Sequence, residues 1–280
     1  MQSKTVLGLL GAILVVAGGA FLFWQTQNAP VPVTPPAEAV VDAGFAQPPL
    51  DAGTDTFEEP ITESGVRISP DALLRKIAAK GTKSSKLADW LEAPGLLRRI
   101  AAAIRLVAEG RSPRGVLSFI RIEGHFSVVD SWDTEARKAG LIPKGVPKSD
   151  RDRIFIAPEC YARYDEVARI VMAADMEAWG RGYKRLRPHF NRVFAEIAKP
   201  NEKFDDLLET AIARLVAVEV PEGQAELVGT GAIYQFKDPA LEKLPEAEKH
   251  LVRMGSSNAV SIQKALRQFA KSAGIGLEPK

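Results

Sequence analysis

The sequence predicts a helix-rich α+β protein: an N-terminal transmembrane helix, a disordered proline-rich linker, then a mostly helical exported domain with two small antiparallel strand pairs. Three observations carry that prediction. Val6–Trp24 is a run of 19 residues without a charge, the stretch after it holds acids and prolines but no base, and the remainder repeats apolar residues every three or four positions except in two β-branched stretches. Hydrophobic residues at 46% and charged residues at 26% exclude a wholly disordered or collagen-like chain.

The run Val6–Trp24 extends roughly 28 Å as a helix, close to the hydrocarbon thickness of a bilayer. Phe21, Phe23 and Trp24 stand at its far end, where aromatic rings favour the lipid–water interface. A cleaved signal would be cut after Ala20, but the apolar run continues through Trp24 and no small-residue site follows it. The segment is therefore expected to remain as an anchor. Lys4 precedes it and no Lys or Arg follows until Arg67, so the bias toward positive charge inside keeps residues 1–5 in the cytoplasm and exports the rest. In a bacterium that is a single-pass protein of the inner membrane with its C-terminal domain in the periplasm.

Residues 25–66 contain seven prolines and the acids Glu38, Asp42, Asp51, Asp55, Glu58, Glu59 and Glu63 without one basic residue. Such a stretch lacks the apolar surface that would offset its ordering entropy, so it reads as a disordered tether. Its length corresponds to roughly 35 Å as a random coil and up to about 125 Å as a polyproline helix. The domain expected at 67–274, with a short tail at 275–280, differs sharply in charge. Residues 67–280 hold 36 basic and 28 acidic residues, leaving +8, although the whole chain carries only +2. An acidic tether on a basic domain is a real asymmetry.

Within the domain, Pro70 opens a helix carrying Leu73, Leu74 and Ile77, and Leu97, Ile100, Ala101, Ile104 and Ala108 mark the next, stopped by Gly110. Leu117–Ser131 is β-branched and aromatic around Gly124, which predicts two short strands with a turn. From Trp132 to Arg153 a long irregular loop is expected, with a short helix near Thr134–Ala139. Pro158 starts a helix with Tyr161, Tyr164, Ala168 and Val171 on one face. Met176, Trp179, Tyr183, Leu186, Phe190, Val193, Phe194 and Ile197 form one apolar stripe on a long helix, with a kink expected at Pro188. Phe204, Leu207, Leu208, Ala211, Ile212 and Leu215 continue the pattern. Strands are then expected at Val216–Val220 and Leu227–Phe236 around Pro221–Gly223. Pro245 opens a helix that Gly255 closes, and Ser256 or Ser257 caps a last helix bearing Val260, Leu266 and Phe269.

Four blocks stand in order along this domain: PECYARYDEVA, RLRPHFNRVFAEI, IYQFKDPALEKL and EKHLVRMGSSNA. Together they resemble an uncharacterised bacterial family, domain of unknown function 3014, over roughly residues 70–272 and most weakly between 110 and 155. The resemblance implies a single-span inner-membrane protein with an exported domain. It implies no activity and no catalytic residues.

Residues that could carry chemistry are few. Cys160 falls in a first helical turn, where the dipole favours a thiolate, and a nucleophile there would need His189 or His250 as base; a buried inert thiol is the plainer reading. Glu123, His125 and Asp130 crowd one strand region, but three scattered histidines match no metal motif, so neither metal nor cofactor is implied. Gly229-Thr230-Gly231 lacks the helix a phosphate loop needs. Tyr161, Arg163 and Tyr164 would make a sugar or peptide platform if exposed, and core residues if buried. Basic residues gather at Arg98, Arg99 and Arg105, and again at Arg181, Lys184, Arg185, Arg187 and Arg192. Of these, Arg181, Lys184, Arg185 and Arg192 fall opposite the apolar stripe of their helix. That face suits an anionic partner: lipid headgroups, cell-wall carboxylates or an acidic protein, with nucleic acid disfavoured by the compartment. The leading expectation is a non-catalytic envelope protein whose domain binds a protein or cell-wall partner, and the alternative is a cell-wall-directed hydrolase or modifying enzyme.

Overall fold

A computed structural model describes residues 61–63, 66–79, 85–120, 122–150, 152–230 and 233–277. The expected anchor at 6–24, most of the tether and the tail beyond 277 lie outside them, and no helix among the described residues is long and apolar enough to cross a membrane. The described chain is helix-rich with one four-stranded antiparallel sheet, so the α+β class holds.

The chain enters through a strand pair, β1 (Ile61–Glu63) and β2 (Val66–Ile68), which straddles the boundary expected at 66 and 67. Helices α1 (Pro70–Ala79), α2 (Ser85–Leu91) and α3 (Leu96–Ala108) follow. The buried Asp71 of α1 caps α3: its two carboxylate oxygens accept from the amides of Leu96 at 2.7 Å and Leu97 at 2.9 Å. Those amides have no partner inside their own helix, so one side chain fixes both the start of α3 and its angle to α1. Next come β3 (Val128–Asp130), α4 (Thr134–Lys138), β4 (Ile154–Ile156), α5 (Pro158–Ala162) and α6 (Asp165–Met172). Then follow α7 (Met176–Ala195), α8 (Phe204–Val216), β5 (Glu226–Thr230), β6 (Ile233–Phe236), α9 (Pro239–Glu242), α10 (Glu246–Arg253) and α11 (Ser256–Ala273).

α7 is the spine. Asp175 caps it by accepting from the Ala178 amide at 3.0 Å, and the helix runs without interruption through Pro188. Trp179, Tyr183, Leu186, Phe190, Val193 and Phe194 are buried on its inner side. α11 and α3 pack against α7, while α8 lies against α3 and α11. The close approach of α7 to α11 depends on Gly180, where an added Cβ would stand 2.5 Å from the Ser272 carbonyl carbon and 2.7 Å from the Ala273 amide nitrogen. Phe155, Ile156, Leu227 and Phe236 bring the sheet into the same core.

Several local expectations are corrected by tertiary contacts. Leu117–Ser131 is not a hairpin around Gly124: only Val128–Asp130 is a strand, and it pairs with Ile154–Ile156, just after the expected loop. Leu117, Ile120 and Ile122 are instead buried directly in the core, without a ladder. Val216–Val220 is not a strand either. The Gln263 amide donates to the carbonyls of Leu215 and Val218, and Arg267 donates to that of Val216, so α11 occupies the acceptors a sheet would need. The expected long strand Leu227–Phe236 is itself the hairpin, with Leu227 opposite Phe236 and Thr230 opposite Ile233, so the two strand pairs merge into one sheet of order β3-β4-β5-β6.

The helix expected from Pro158 is two helices. Between them, Asn258 donates to the Tyr161 carbonyl at 3.1 Å and to the Asp165 carboxylate at 2.9 Å. A carbonyl engaged by a distant side chain favours ending one helix and starting the next. Neither Ser256 nor Ser257 caps α11; both lie inside it, and Gly255 holds the cap position at φ 79°. Of the apolar residues on α11, Leu266 and Phe269 are buried and Val260 is 59% exposed. The short helices α2 and α9 carry too few turns for a periodicity to show.

Candidate functional site

Tyr161, Arg163 and Tyr164 come together, but as a brace. Tyr164 is 1% exposed, and its hydroxyl accepts from Arg163 Nη2 at 3.0 Å. The Arg163 guanidinium lies over the Tyr164 ring at 4.9 Å, while its Nε and Nη1 are buried with no hydrogen-bond partner among the described residues. The Tyr161 hydroxyl accepts from the Ala225 amide at 2.9 Å, tying α5 to the sheet, and its ring packs where a Cβ on Gly255 would stand 2.8 Å away. Burial pushes the Tyr161 phenol up to about 12, and burial likewise raises that of Tyr164. Both phenols therefore serve as neutral hydrogen-bonding groups.

Cys160 is buried beneath the start of β3. Its Sγ accepts from the Ser127 amide at 3.1 Å and lies 3.3 Å from the Ser127 carbonyl oxygen. His250 is engaged elsewhere, with Nε2 at 2.9 Å from the Ser112 hydroxyl and Nδ1 at 3.3 Å from Arg253 Nη1. The thiol and that imidazole do not meet. Glu123 and His125 are exposed, and no group of three His, Cys, Asp or Glu among the described residues could hold a metal ion.

Arg181, Lys184, Arg185 and Arg192 are all exposed, on the side of α7 opposite its buried stripe. Arg181 lies 3.8 Å from Glu177, one turn away, a pairing that an exposed surface makes weak. The Lys184 side chain runs alongside the end of α11, where its Nζ would be 3.9 Å from a Cβ on Gly274, so Lys271 in the last turn of α11 lies close to the same surface. The stripe from Arg181 to Arg192 is about 16 Å long, at about 1.5 Å of rise per residue. Its backbone is rigid because the opposite face of α7 is packed between α11 and α3.

On the flank of α7, Arg187 pairs with Asp205, which also accepts from the Tyr183 hydroxyl. Burial, then the Asp205 carboxylate, raises the Tyr183 phenol far above its usual range. This pair edges a cavity of about 580 Å³ between the end of α7 and the start of α8, with Asn191, Lys199 and Lys203 on its rim and Phe194 and Phe204 on its wall. The acids Glu202 and Asp205 of this cavity are both paired, Glu202 with Arg105 at 3.2 Å and Asp205 with Arg187.

Sequence reasoning missed the densest polar cluster, on α10. Glu248, Lys249 and His250 are all buried, although consecutive charged residues read as a solvated face. Glu248 Oε1 accepts from Arg214 at 2.6 Å, and Lys249 donates to Glu242 at 2.7 Å. The signal was absent because the decisive partner, Arg214, lies 34 residues away on α8. Burial, and then the charges of Arg253 and Arg114, hold the His250 imidazole well below its ordinary value. Because a guanidinium can only donate, Nδ1 accepts and the neutral ring keeps its proton on Nε2.

A pH effect follows. The unfolded chain takes up a proton on His250 below about pH 6.5 and the folded chain does not, so stability present above that pH is lost as the pH falls, by up to ~1.4 kcal/mol per pH unit. Urea unfolding at pH 7 and pH 5 is expected to show a smaller acid loss in His250→Gln than in the natural chain. Equal acid losses in the two proteins would refute the assignment.

A family model described as a protein of unknown function, DUF3014, matches residues 96–270, from the first turn of α3 to the last turn of α11. No curated protein and no solved structure matches the chain. The match takes in α7 and its stripe, the brace around Tyr164 and the polar cluster of α10, and the chain belongs to the DUF3014 family.

Proposed function

We propose that the chain is a non-catalytic protein of the bacterial inner membrane, anchored once through residues 6–24, whose periplasmic domain binds an anionic envelope partner, protein or cell-wall polymer. The observation that carries this reading is the stripe Arg181, Lys184, Arg185 and Arg192, exposed together on the outer face of the 20-residue helix α7. Four cations on one rigid helix lose little conformational freedom in the backbone when they meet an anion, which favours binding over the same charges on a loop. The anchor and tether support the reading from the sequence side. Residues 25–66 can carry the domain tens of ångströms above the bilayer, within reach of the wall.

The test is photo-cross-linking in cells, with the reactive group at Ala195, exposed at the end of α7 on the stripe side. The full-length protein is expected to give a reproducible adduct. The quadruple variant R181E/K184E/R185E/R192E should lose that adduct at least tenfold, because each repelled contact subtracts ~0.5–1 kcal/mol and a factor of ten needs only about 1.4. Its thermal midpoint should move by only a few degrees, since exposed substitutions are nearly neutral to stability. An adduct of undiminished yield in a folded quadruple variant would reject the stripe as the binding surface.

A further inference from the structure

We infer that the stripe has a resident ligand within the same molecule: the acidic end of the tether, Asp51 to Glu59, docks along Arg181–Arg192 and competes with the external partner. This deepens the proposed function and rests on the stripe being an anion-binding surface.

Three observations support it. The first is charge segregation. The tether carries seven acids and no base, and the domain behind it carries +8, so its acids have no partner nearer in sequence than the domain itself. The second is where the tether joins. The pairing of Ile61 with Ile68 folds the chain back on itself, so Ile61, the first described residue after the tether, lies beside Ile68 and the start of α1. α1 lies on α7: a Cβ added at Gly182 would stand 3.0 Å from Ile77 Cγ2. Gly182 is adjacent to Arg181 and three residues from Arg185. Since Pro70 is seven residues before Ile77, about 10 Å along α1, the tether enters the domain within roughly 20 Å of the stripe.

The third observation is length. Asp51, Asp55, Glu58 and Glu59 span nine residues, which reach up to about 30 Å when extended, enough to cover a stripe of about 16 Å with slack. A tether this short presents its acids at millimolar effective concentration, so even a millimolar interaction is occupied about half of the time. The contact is electrostatic and exposed, and it weakens as the Debye length falls from ~8 Å at physiological ionic strength to ~3 Å at 1 M salt. An external partner of higher charge density displaces it, which makes the tether a filter against weak anions.

Zero-length carbodiimide coupling of the full-length protein in liposomes tests this, because it joins the Lys184 amine only to a carboxylate in direct contact. Expected are links from Lys184 to Asp51, Asp55, Glu58 or Glu59, reduced at least fivefold in 1 M sodium chloride and lost in the variant D51N/D55N/E58Q/E59Q. The same variant should raise the in-cell adduct yield from Ala195 about twofold. If no such link forms and the adduct yield stays constant, while stripe reversal still abolishes the adduct, the tether inference is overturned and the binding reading stands. If the links form but stripe reversal leaves the adduct unchanged, the tether occupies the stripe and the binding reading fails.

Discussion

Phe204→Ala is expected to lower the unfolding free energy by about 3–5 kcal/mol, the largest loss for any single truncation in this core. Phe204 is 1% exposed at the first position of α8 and stacks flat on Phe190, with ring centroids 4.9 Å apart and planes 4° from parallel. Phe194 lies at 5.7 Å and Tyr183 at 6.4 Å, and Tyr183 in turn meets Phe269 of α11 edge-on at 5.8 Å. The ring therefore joins three helices at one point. No side chain caps α8, so its start is held by this packing and by the contacts of Asp205 with Tyr183 and Arg187. Removing the ring deletes its buried area and leaves a cavity bounded by aromatic rings too stiff to collapse. For a domain of this size that loss corresponds to a fall of roughly 6–20 °C in thermal midpoint. Phe204→Leu should cost clearly less. Urea unfolding of both variants decides the matter, and an alanine variant within ~1 kcal/mol of the natural chain would show that the cluster does not carry the junction.

Gly180 is the second position of large effect. Alanine in place of glycine inside a helix ordinarily gains ~1 kcal/mol. Here the added methyl meets the backbone of Ser272 and Ala273, which cannot rotate away as a side chain can. Forcing α7 and α11 apart weakens the principal helix contact of the fold, so Gly180→Ala is expected to be destabilising by ~1–3 kcal/mol and Gly180→Val by more. Gly182 supplies the control on the same helix. A methyl there meets only the Ile77 side chain, and Gly182→Ala should be near neutral. Equal unfolding free energies for the two alanine variants would mean that the α7–α11 approach has slack.

These two positions show how far the sequence could be read. Phe204 and Tyr183 were legible as core because each belongs to a three-and-four repeat within one helix, which is local information. Gly180 was not, because its burial is set by Ser272, 92 positions away in the chain. The same division runs through the site. The exposed face of α7 follows from the apolar stripe opposite it, so the exposure of Arg181, Lys184, Arg185 and Arg192 was legible from spacing alone. Tyr161 and Tyr164 shared a helical spacing too, but whether they were platform or brace rested on Ala225, Asn258 and Gly255, all supplied by other elements. The burial of Glu248, Lys249 and His250 was not legible, because it depends on Arg214 and Ser112 placed against them by other segments.

By itself the sequence determined the composition boundary near residue 66, the uncharged run before it and the main helices α1, α3, α7, α8, α10 and α11, because charge density and 3.6-residue periodicity are properties of adjacent residues. The tertiary structure alone decided which β-branched stretches become strands, where the helix after Pro158 breaks and which charges are buried. The pairing of Val128 with Ile156, the capture of the Tyr161 carbonyl by Asn258 and the ion pair of Arg214 with Glu248 join groups distant in the chain, and no window of helix or strand length contains both partners.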